Sequence, residues 1–228
     1  MHSHVIRNVL DEAELAQVRA LIQQSRFVGG SESAAGAAEQ VKTNEQLQYA
    51  VQGDAQKIGE LLFRALGRSR EFHRRALPLE ISVPLINRYR VGMKYGPHYD
   101  RAFIVGANDR QIRTDLSATL FVSPPEDYEG GELCLPEDGG DRCMKLAAGD
   151  LFIYPSCMLH SVSTVTRGVR LAIVFWVQSM VRDHEQRDLI SNLDAVIGSL
   201  AERMPGSTEV RELSGAVNSL TRMWGERG

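Results

Sequence analysis

The stretch that decides the fold is residues 89–100, YRVGMKYGPHYD, which ends in the triplet His98-Tyr99-Asp100. Side chains alternate along an extended segment, so a histidine and an aspartate two residues apart point to the same side. An imidazole and a carboxylate on one side of a strand can bind a metal ion, but they do not complete a site. We therefore expect a further ligand elsewhere in the chain.

From residue 80 onward the sequence is typical of a β-sandwich, with short apolar segments separated by turn clusters such as PPEDYEGG and PEDGGD. Strands are predicted at 80–90, 94–100, 117–123, 131–135, 143–147, 150–154, 160–165 and 169–178. This pattern favours a jelly roll over alternating β-α-β units. The one long connection in the block, 101–115, is a candidate lid, because long loops in compact domains are often functional.

Amphipathic segments flank the β block on both sides and give an α+β, mainly β chain. Helices are predicted over 11–25 with Asp11 as N-cap, about 44–66, 183 or 184 to 203, and 208–225, with a small-residue loop at 29–38. The expected organisation is an N-terminal helical support region (1–78), a jelly-roll domain (79–180) and a C-terminal helical extension (181–228).

Composition excludes several classes of protein. The 228 residues carry a net charge of −3, which does not indicate a nucleic-acid or anionic-membrane partner. No apolar run reaches the length of a membrane-spanning helix, and the N-terminus lacks the apolar core of a signal peptide. The odd set Cys134, Cys143 and Cys157, without a CxxC motif, argues against a disulfide framework and a structural zinc site. A cytoplasmic location is expected.

His160, in YPSCMLHSV, is the histidine that best completes the site, because it begins a predicted strand in the same β block. His98, Asp100 and His160 would form a two-histidine, one-carboxylate set that leaves open coordination positions and suits Fe(II). A His-x-Asp motif alone arises often by chance, and a single histidine is more often a core residue than a ligand. The metal interpretation therefore needs independent support.

Arg170 supplies that support, because it lies near the start of VRLAIVFWV, a strand apolar on both faces. A buried guanidinium needs an anionic partner, although Arg170 could instead be an exposed residue after a turn. If residues 166–168 form a hairpin loop, Arg170 lies opposite Thr164 and on the face of His160, about 13 Å from it at ~3.3 Å per residue. A five-carbon diacid could chelate the metal at one end and bind the guanidinium at the other.

Several segments together resemble the iron(II)- and 2-oxoglutarate-dependent dioxygenases of the prolyl 4-hydroxylase alpha-subunit-like branch, and more narrowly the PKHD-type hydroxylases. They are NRYRVGMKYGPHYD, RTDLSATLFVS, YEGGEL and GDLFIYPSCMLHSVSTVTRGVRLAIVFWVQSMVRD. The resemblance extends over about 79–188 and implies a double-stranded β-helix core. It implies that His98, Asp100 and His160 hold Fe(II), and that Arg170 binds the C5 carboxylate of 2-oxoglutarate.

The resemblance also concerns the residues around the cosubstrate. Tyr89 matches a tyrosine that contacts 2-oxoglutarate, and Thr119 and Phe121 project from a neighbouring strand. Phe121 stands where those relatives often have a tyrosine and cannot donate a hydrogen bond, so Tyr89 or Thr119 would have to replace that contact. Val174 stands where some members have a hydroxyl residue.

The implied reaction is hydroxylation of an unidentified peptidyl or small-molecule substrate by O₂. It is coupled to decarboxylation of 2-oxoglutarate to succinate and CO₂, with L-ascorbate as a candidate reductant. Arg101, Arg110 and Arg113 in the 101–115 loop suggest an anionic or polar substrate, although loop charges are more often simply solvated.

Two other functions stay open at this point. One is a non-catalytic domain that senses iron or 2-oxoglutarate through its helical flanks. The other is a zinc hydrolase, which needs a general base, usually glutamate, and none stands beside His98 or His160. The C-terminal helices could pack on the β block or form a homodimer contact.

Overall fold

The chain, seen in a computed structural model, is built on two antiparallel sheets, and the structure describes residues 3–30, 37–48, 53–106, 110–137 and 139–226. The strands are β1 His4–Ile6, β2 Phe27–Gly29, β3 Glu45–Leu47, β4 Pro78–Ile81, β5 Leu85–Tyr89, β6 Tyr95–His98, β7 Phe103–Val105, β8 Gln111–Arg113, β9 Leu116–Phe121, β10 Tyr128–Glu129, β11 Leu133–Leu135, β12 Arg142–Met144, β13 Leu151–Pro155, β14 His160–Val162, β15 Arg167–Gly168 and β16 Arg170–Ser179. The helices are α1 Glu12–Gln24, α2 Ala37–Gln40, α3 Asp54–Arg68, α4 Arg70–Ala76, α5 His184–Arg203 and α6 Thr208–Trp224.

The larger sheet has the strand order β1-β13-β9-β16-β5-β3-β2, with β4 added to β16. Its central strand, β16, pairs with β9 on one side and β5 on the other, so Arg170 lies opposite Tyr89 and Val174 lies opposite Thr119. The smaller sheet has the order β12-β11-β14-β6 and pairs His160 directly with His98. This confirms the mainly β, jelly-roll fold expected from the sequence.

Alternation along the central strands separates two apolar clusters. In β9 the residues Ala118 and Leu120 face the helical side, where they join a core formed with α1, α3 and α4. The next residue, Phe121, belongs to the second cluster, in which Leu133 and Val162 of the smaller sheet also lie. Because β16 is buried on both faces, most of its sequence is a continuous apolar run.

The helix predictions are confirmed at the ends of the chain and wrong in part of the N-terminal region. Asp11 caps α1 in a capping box with Glu14, and α5 and α6 have almost the predicted bounds. The predicted helix 44–66 is wrong in its first part: Glu45–Leu47 is strand β3, paired with β5, and the helix begins at Asp54. The predicted loop 29–38 falls mostly outside the described residues.

The N-terminal region is more than a helical support, because β1, β2 and β3 extend the larger sheet. The division of the chain at residues 78 and 180 stays a prediction. The predicted strand 80–90 is two strands, β4 and β5. The connection 101–115 contains the β7–β8 hairpin, whose turn at 107–109 lies outside the described residues.

The hairpin that the sequence suggested between the strands of His160 and Arg170 is wrong. Strand β14 belongs to the smaller sheet and β16 to the larger one, while residues 167–168 pair instead with β10. The chain crosses between sheets at this point, so the partner of Arg170 across the ladder is Tyr89 and not Thr164.

The inference against disulfides is also wrong in one respect, because Cys134 and Cys143 are bonded to each other. They stand directly opposite on β11 and β12, a proximity that the spacing alone did not reveal. Cys157 is exposed and is not part of this disulfide. Among the described residues no helix is both long and apolar enough to cross a membrane. The cytoplasmic location and the homodimer stay predictions.

Phe72 tests the packing of the helical layer on the larger sheet. Its ring is fully buried and lies edge-on to Phe175 of β16, with 6.4 Å between ring centroids. We expect Phe72→Ala to lower the free energy of unfolding by about 3–5 kcal/mol, because it leaves a cavity in a packed core. Urea unfolding followed by circular dichroism measures the change. Phe63→Ala on α3, where the side chain is 39% exposed, is the control and should cost far less. Equal losses in the two variants would contradict this account.

Candidate active site

Three side chains from two neighbouring segments form a compact cluster of candidate metal ligands. One ligand atom from each of His98, Asp100 and His160 lies within 4.8 Å of the others. Nε2 of His98 is 3.9 Å from one Asp100 carboxylate oxygen, and Nε2 of His160 is 3.8 Å from the other. The structure thus brings together the three residues that the sequence singled out, because β6 and β14 are paired at these two histidines.

Both histidines are oriented by backbone carbonyls. Nδ1 of His98 lies 2.8 Å from the carbonyl oxygen of Gly96, and Nδ1 of His160 lies 3.0 Å from that of Met158. A proton on Nδ1 donates to each carbonyl and leaves the Nε2 lone pair free for a metal, which is the usual outer-shell arrangement for ligating histidines. Burial and the neighbouring His160 lower the pKa of His98 to about 4, so it is neutral near pH 7 as ligation requires.

Asp100 is held by the buried Ser117, which is itself in contact with the buried Ser156. The Ser117 hydroxyl contacts both the Asp100 carboxylate and the hydroxyl of Ser156, 2.8 Å away. Ser117 lies on β9 and shares a face of the sheet with Thr119, whereas the apolar Ala118 between them faces the opposite side. The larger sheet therefore positions the carboxylate that the loop after β6 carries.

Tyr95 forms a wall of the cluster. Its ring stacks on His98 with 3.5 Å between centroids, and the Lys42 ammonium lies 5.1 Å from the centre of the Tyr95 ring. The segment around Lys42 pairs with β6, since the amide of Gly96 donates to the carbonyl of Val41. A Cβ on Gly96 would stand 2.8 Å from the Val41 Cβ, so this position requires glycine for the two segments to approach.

Arg170 lies deep between the two sheets with only 2% of its surface exposed. Its guanidinium carbon is 5.1 Å from the centre of the Tyr89 ring and 5.6 Å from that of Phe121. It forms no ion pair with any carboxylate in the described parts of the chain, and its Nε has no hydrogen-bond partner there. A charge in this position has lost its water and is stabilised by aromatic faces and by the nearby phenol of Tyr128.

The phenols near Arg170 are kept neutral. Burial raises the pKa of Tyr89 to about 12 and raises that of Tyr154 well above its ordinary value. Neutral phenols can donate a hydrogen bond to an anion. Thr119, which the sequence predicted for this pocket, lines it together with both tyrosines. Phe121 instead packs against Arg170.

One cavity of about 360 Å³ joins the candidate ligands to Arg170. Sequence reasoning missed several of its wall residues: Lys42, Gln46, Tyr95, Tyr154 and Trp176. Gln46 was missed because it lies in the segment predicted as a helix, and Lys42 because no element was predicted between residues 38 and 44. Tyr154 could have been predicted from the alternation of β13. Its neighbour Ile153 faces the helical core, so Tyr154 faces the opposite side, towards the cavity.

Comparison with known proteins places these observations in a family. Residues 84–178 match the model of the 2OG-Fe(II) oxygenase superfamily. The chain is 42% identical, over 96% of each chain, to a PKHD-type hydroxylase of Beijerinckia indica. In fold it is similar to a prolyl hydroxylase from Trichoplax adhaerens, solved with a hypoxia-inducible-factor peptide (TM-score 0.54, 17% identity, 82% of this chain and 86% of that one). It is also similar to HygX from Streptomyces hygroscopicus, solved with nickel and 2-oxoglutarate (TM-score 0.53, 14% identity, 78% and 82%). The chain therefore belongs to the PKHD-type hydroxylases of the 2OG-Fe(II) oxygenase superfamily, and it is a 2-oxoglutarate-dependent dioxygenase.

Proposed function

We propose that His98, Asp100 and His160 hold Fe(II), and that Arg170 binds the far carboxylate of 2-oxoglutarate in a hydroxylase. In this reaction O₂ oxidises both a C–H bond of the substrate and 2-oxoglutarate. The products are an alcohol, succinate and CO₂. The observation that carries the proposal is the buried Arg170 guanidinium, which faces the cavity of the His-Asp-His cluster without a carboxylate partner among the described residues.

The residues present fit both groups. Two imidazoles and one carboxylate, converging from one side, leave coordination positions open for a chelating cosubstrate and for O₂. At the other end, a carboxylate can satisfy the guanidinium in a bidentate manner, and the neutral phenol of Tyr89 and the hydroxyl of Thr119 lie along the way.

The division of labour in the reaction follows from these positions. The chemistry that bound iron and 2-oxoglutarate supply is the activation of O₂, with one oxygen atom going to the substrate and the other to succinate. Arg170 and its aromatic neighbours fix the direction of the cosubstrate in the cavity. The carbonyls of Gly96 and Met158 hold both imidazoles with Nε2 inward, and Ser117 holds the Asp100 carboxylate. The protein thus contributes orientation and exclusion of water.

The alternatives fit less well. A zinc hydrolase needs a general base besides its ligands, and Asp100 is the only acidic residue among the described residues that line the cavity. A non-catalytic sensor would not need a ligand set that leaves coordination positions open. We propose a peptidyl substrate, such as the peptide in the Trichoplax complex, or a small molecule. L-Ascorbate is the proposed reductant.

The first test is turnover. The protein is loaded with Fe(II) in the absence of oxygen and then given O₂ and 2-oxoglutarate. It should release succinate even without its substrate, because such a site can slowly oxidise 2-oxoglutarate when no C–H bond is being hydroxylated. Succinate is measured by mass spectrometry, with the Zn(II)-loaded protein as control. A chelator added before O₂ should abolish the signal. No succinate above the Zn(II) control, together with zinc-dependent hydrolysis of ester or amide probes, would overturn the hydroxylase proposal.

His160 tests the ligand set. We expect His160→Ala to weaken Fe(II) binding by at least roughly 100-fold, since the loss of even an outer-shell partner costs about 10- to 100-fold. Anaerobic competition titration against a chromophoric chelator measures the affinity. His73→Ala is the matched control, because His73 is an exposed histidine of α4 far from β14 in sequence. Undiminished Fe(II) affinity in His160→Ala would remove this residue from the ligand set.

Arg170 tests the cosubstrate site separately from the metal. We expect Arg170→Gln to raise the Kd for 2-oxoglutarate roughly 10- to 100-fold, because hydrogen bonds to charged groups contribute about 1.5–3 kcal/mol. Metal affinity should be unchanged. The control is Arg167→Gln, which removes an exposed arginine paired with Glu129. Titration of the Co(II)-loaded protein, followed by its visible absorption, measures the binding. If 2-oxoglutarate binds both variants equally, Arg170 is not its partner.

A further inference from the structure

The cavity continues beyond the metal ligands into an outer chamber, defined here by Val83, Leu85, Tyr99, Ile104, Val105 and Trp176. Trp176 stands on the same face of β16 as Arg170 but six residues further along, which is about 20 Å at ~3.3 Å per residue. Trp176 is paired with Ser117, the residue that holds Asp100, so the outer chamber begins where the proposed metal site ends.

The outer chamber is apolar, and its rim is apolar as well. Tyr99 and Val105 line the cavity while more than half of each side chain remains exposed. Phe103, on the same hairpin strand as Val105, is exposed too. Large apolar side chains grouped at the mouth of a cavity are typical of a surface that binds a ligand.

Arg101 is the charged residue of this apolar rim. It directly follows the proposed ligand Asp100, is exposed, and lines the cavity. Within the described residues its guanidinium forms no ion pair, whereas the other two arginines of the same connection are paired: Arg110 with Glu80 and Arg113 with Asp115.

The charges along the cavity leave a positive excess. A divalent metal and Arg170 carry three positive charges, and Asp100 with the 2-oxoglutarate dianion carries three negative ones. The remaining charged residues of the described lining are Lys42 and Arg101, and both are cationic. Lys42 has contacts of its own, so we assign the excess charge at the mouth to Arg101.

We propose that the outer chamber binds a substrate with an apolar body and an anionic group, a carboxylate or a phosphate, and that Arg101 binds this anion. The inference rests on the proposed function, because the outer chamber receives a substrate only if the inner cavity binds the metal and 2-oxoglutarate. It makes Arg101 a residue that selects the substrate, at the chain position next to a metal ligand.

The test measures the binding of three probes to the Zn(II)-loaded protein saturated with 2-oxoglutarate. All three have an unbranched six-carbon chain and differ in the polar group at its end. The probes are hexanoate, hexyl phosphate and the neutral hexanamide, and calorimetry or ligand-observed NMR gives each affinity. We expect at least one anion to bind roughly tenfold more tightly than hexanamide, because a hydrogen bond to a charged group is stronger than a neutral one. The ratio between hexanoate and hexyl phosphate identifies the anion that the site prefers.

Variants at the rim separate a specific site from general attraction. Arg101→Gln should remove the preference for the anion, and Arg101→Lys should retain part of it. Arg110→Gln is the matched control on the same connection, and there the preference should be unchanged. Higher ionic strength should weaken anion binding in the wild type, since Arg101 is exposed.

The possible failures are distinguishable. If the metal-loaded protein does not bind 2-oxoglutarate in the first step of the titration, the proposed function fails and this inference fails with it. If 2-oxoglutarate binds normally, the inference alone is overturned by any of three results. These are equal binding of the anions and hexanamide, a preference that persists in Arg101→Gln, and no measurable binding of any probe at millimolar concentration.

Discussion

A buried positive charge without a carboxylate partner among the described residues is the constraint on which this structure depends. Burying an ion costs several kcal/mol even after relaxation, and the faces of Tyr89 and Phe121, together with the phenol of Tyr128, offset part of this cost for Arg170. The fold tolerates the charge because β16 presents it to a cavity and not to a packed core. The other face of the same strand, with Ile173 and Phe175, carries the helical layer. Stability and ligand binding are thus assigned to opposite faces of one strand.

The candidate metal ligands depend on a different set of interactions. His98 and His160 meet because β6 and β14 are paired in the smaller sheet, while the carboxylate of Asp100 is held by Ser117 of the larger sheet. The ligand cluster therefore forms only when the two sheets are at the correct separation. The apolar residues between them, such as Leu133 and Phe152, set that separation. Packing between the sheets is in this way a condition for the geometry of the site, although none of these residues is a ligand.

How far the sequence predicted this arrangement depends on the range of each interaction. His98 and Asp100 could be predicted as a pair from their spacing of two residues alone. Arg170 could be predicted because it is a charged residue at the start of an otherwise apolar strand. The helix at 44–66 was wrong at its start because β3 forms through pairing with β5, some forty residues away, and local periodicity carries no trace of that partner. The supposed hairpin to Arg170 was wrong for the same reason: neighbouring strands in the chain usually pair, but here they enter different sheets. His160 and Arg170 nevertheless line one cavity, because both sheets contribute to it.

Four consecutive residues, 98–101, connect the candidate metal ligands with the mouth of the cavity. Residues 98–101 pass from a buried histidine through the exposed Tyr99 and the candidate ligand Asp100 to the rim cation Arg101 within four positions. His98 and Asp100 belong to the cluster of candidate ligands, whereas Tyr99 and Arg101 are exposed and line the cavity. A change at Tyr99 or Arg101 can therefore alter the surface that meets a substrate without moving a ligand atom. The segment that carries two candidate ligands thus also carries two exposed positions at which the substrate can be selected.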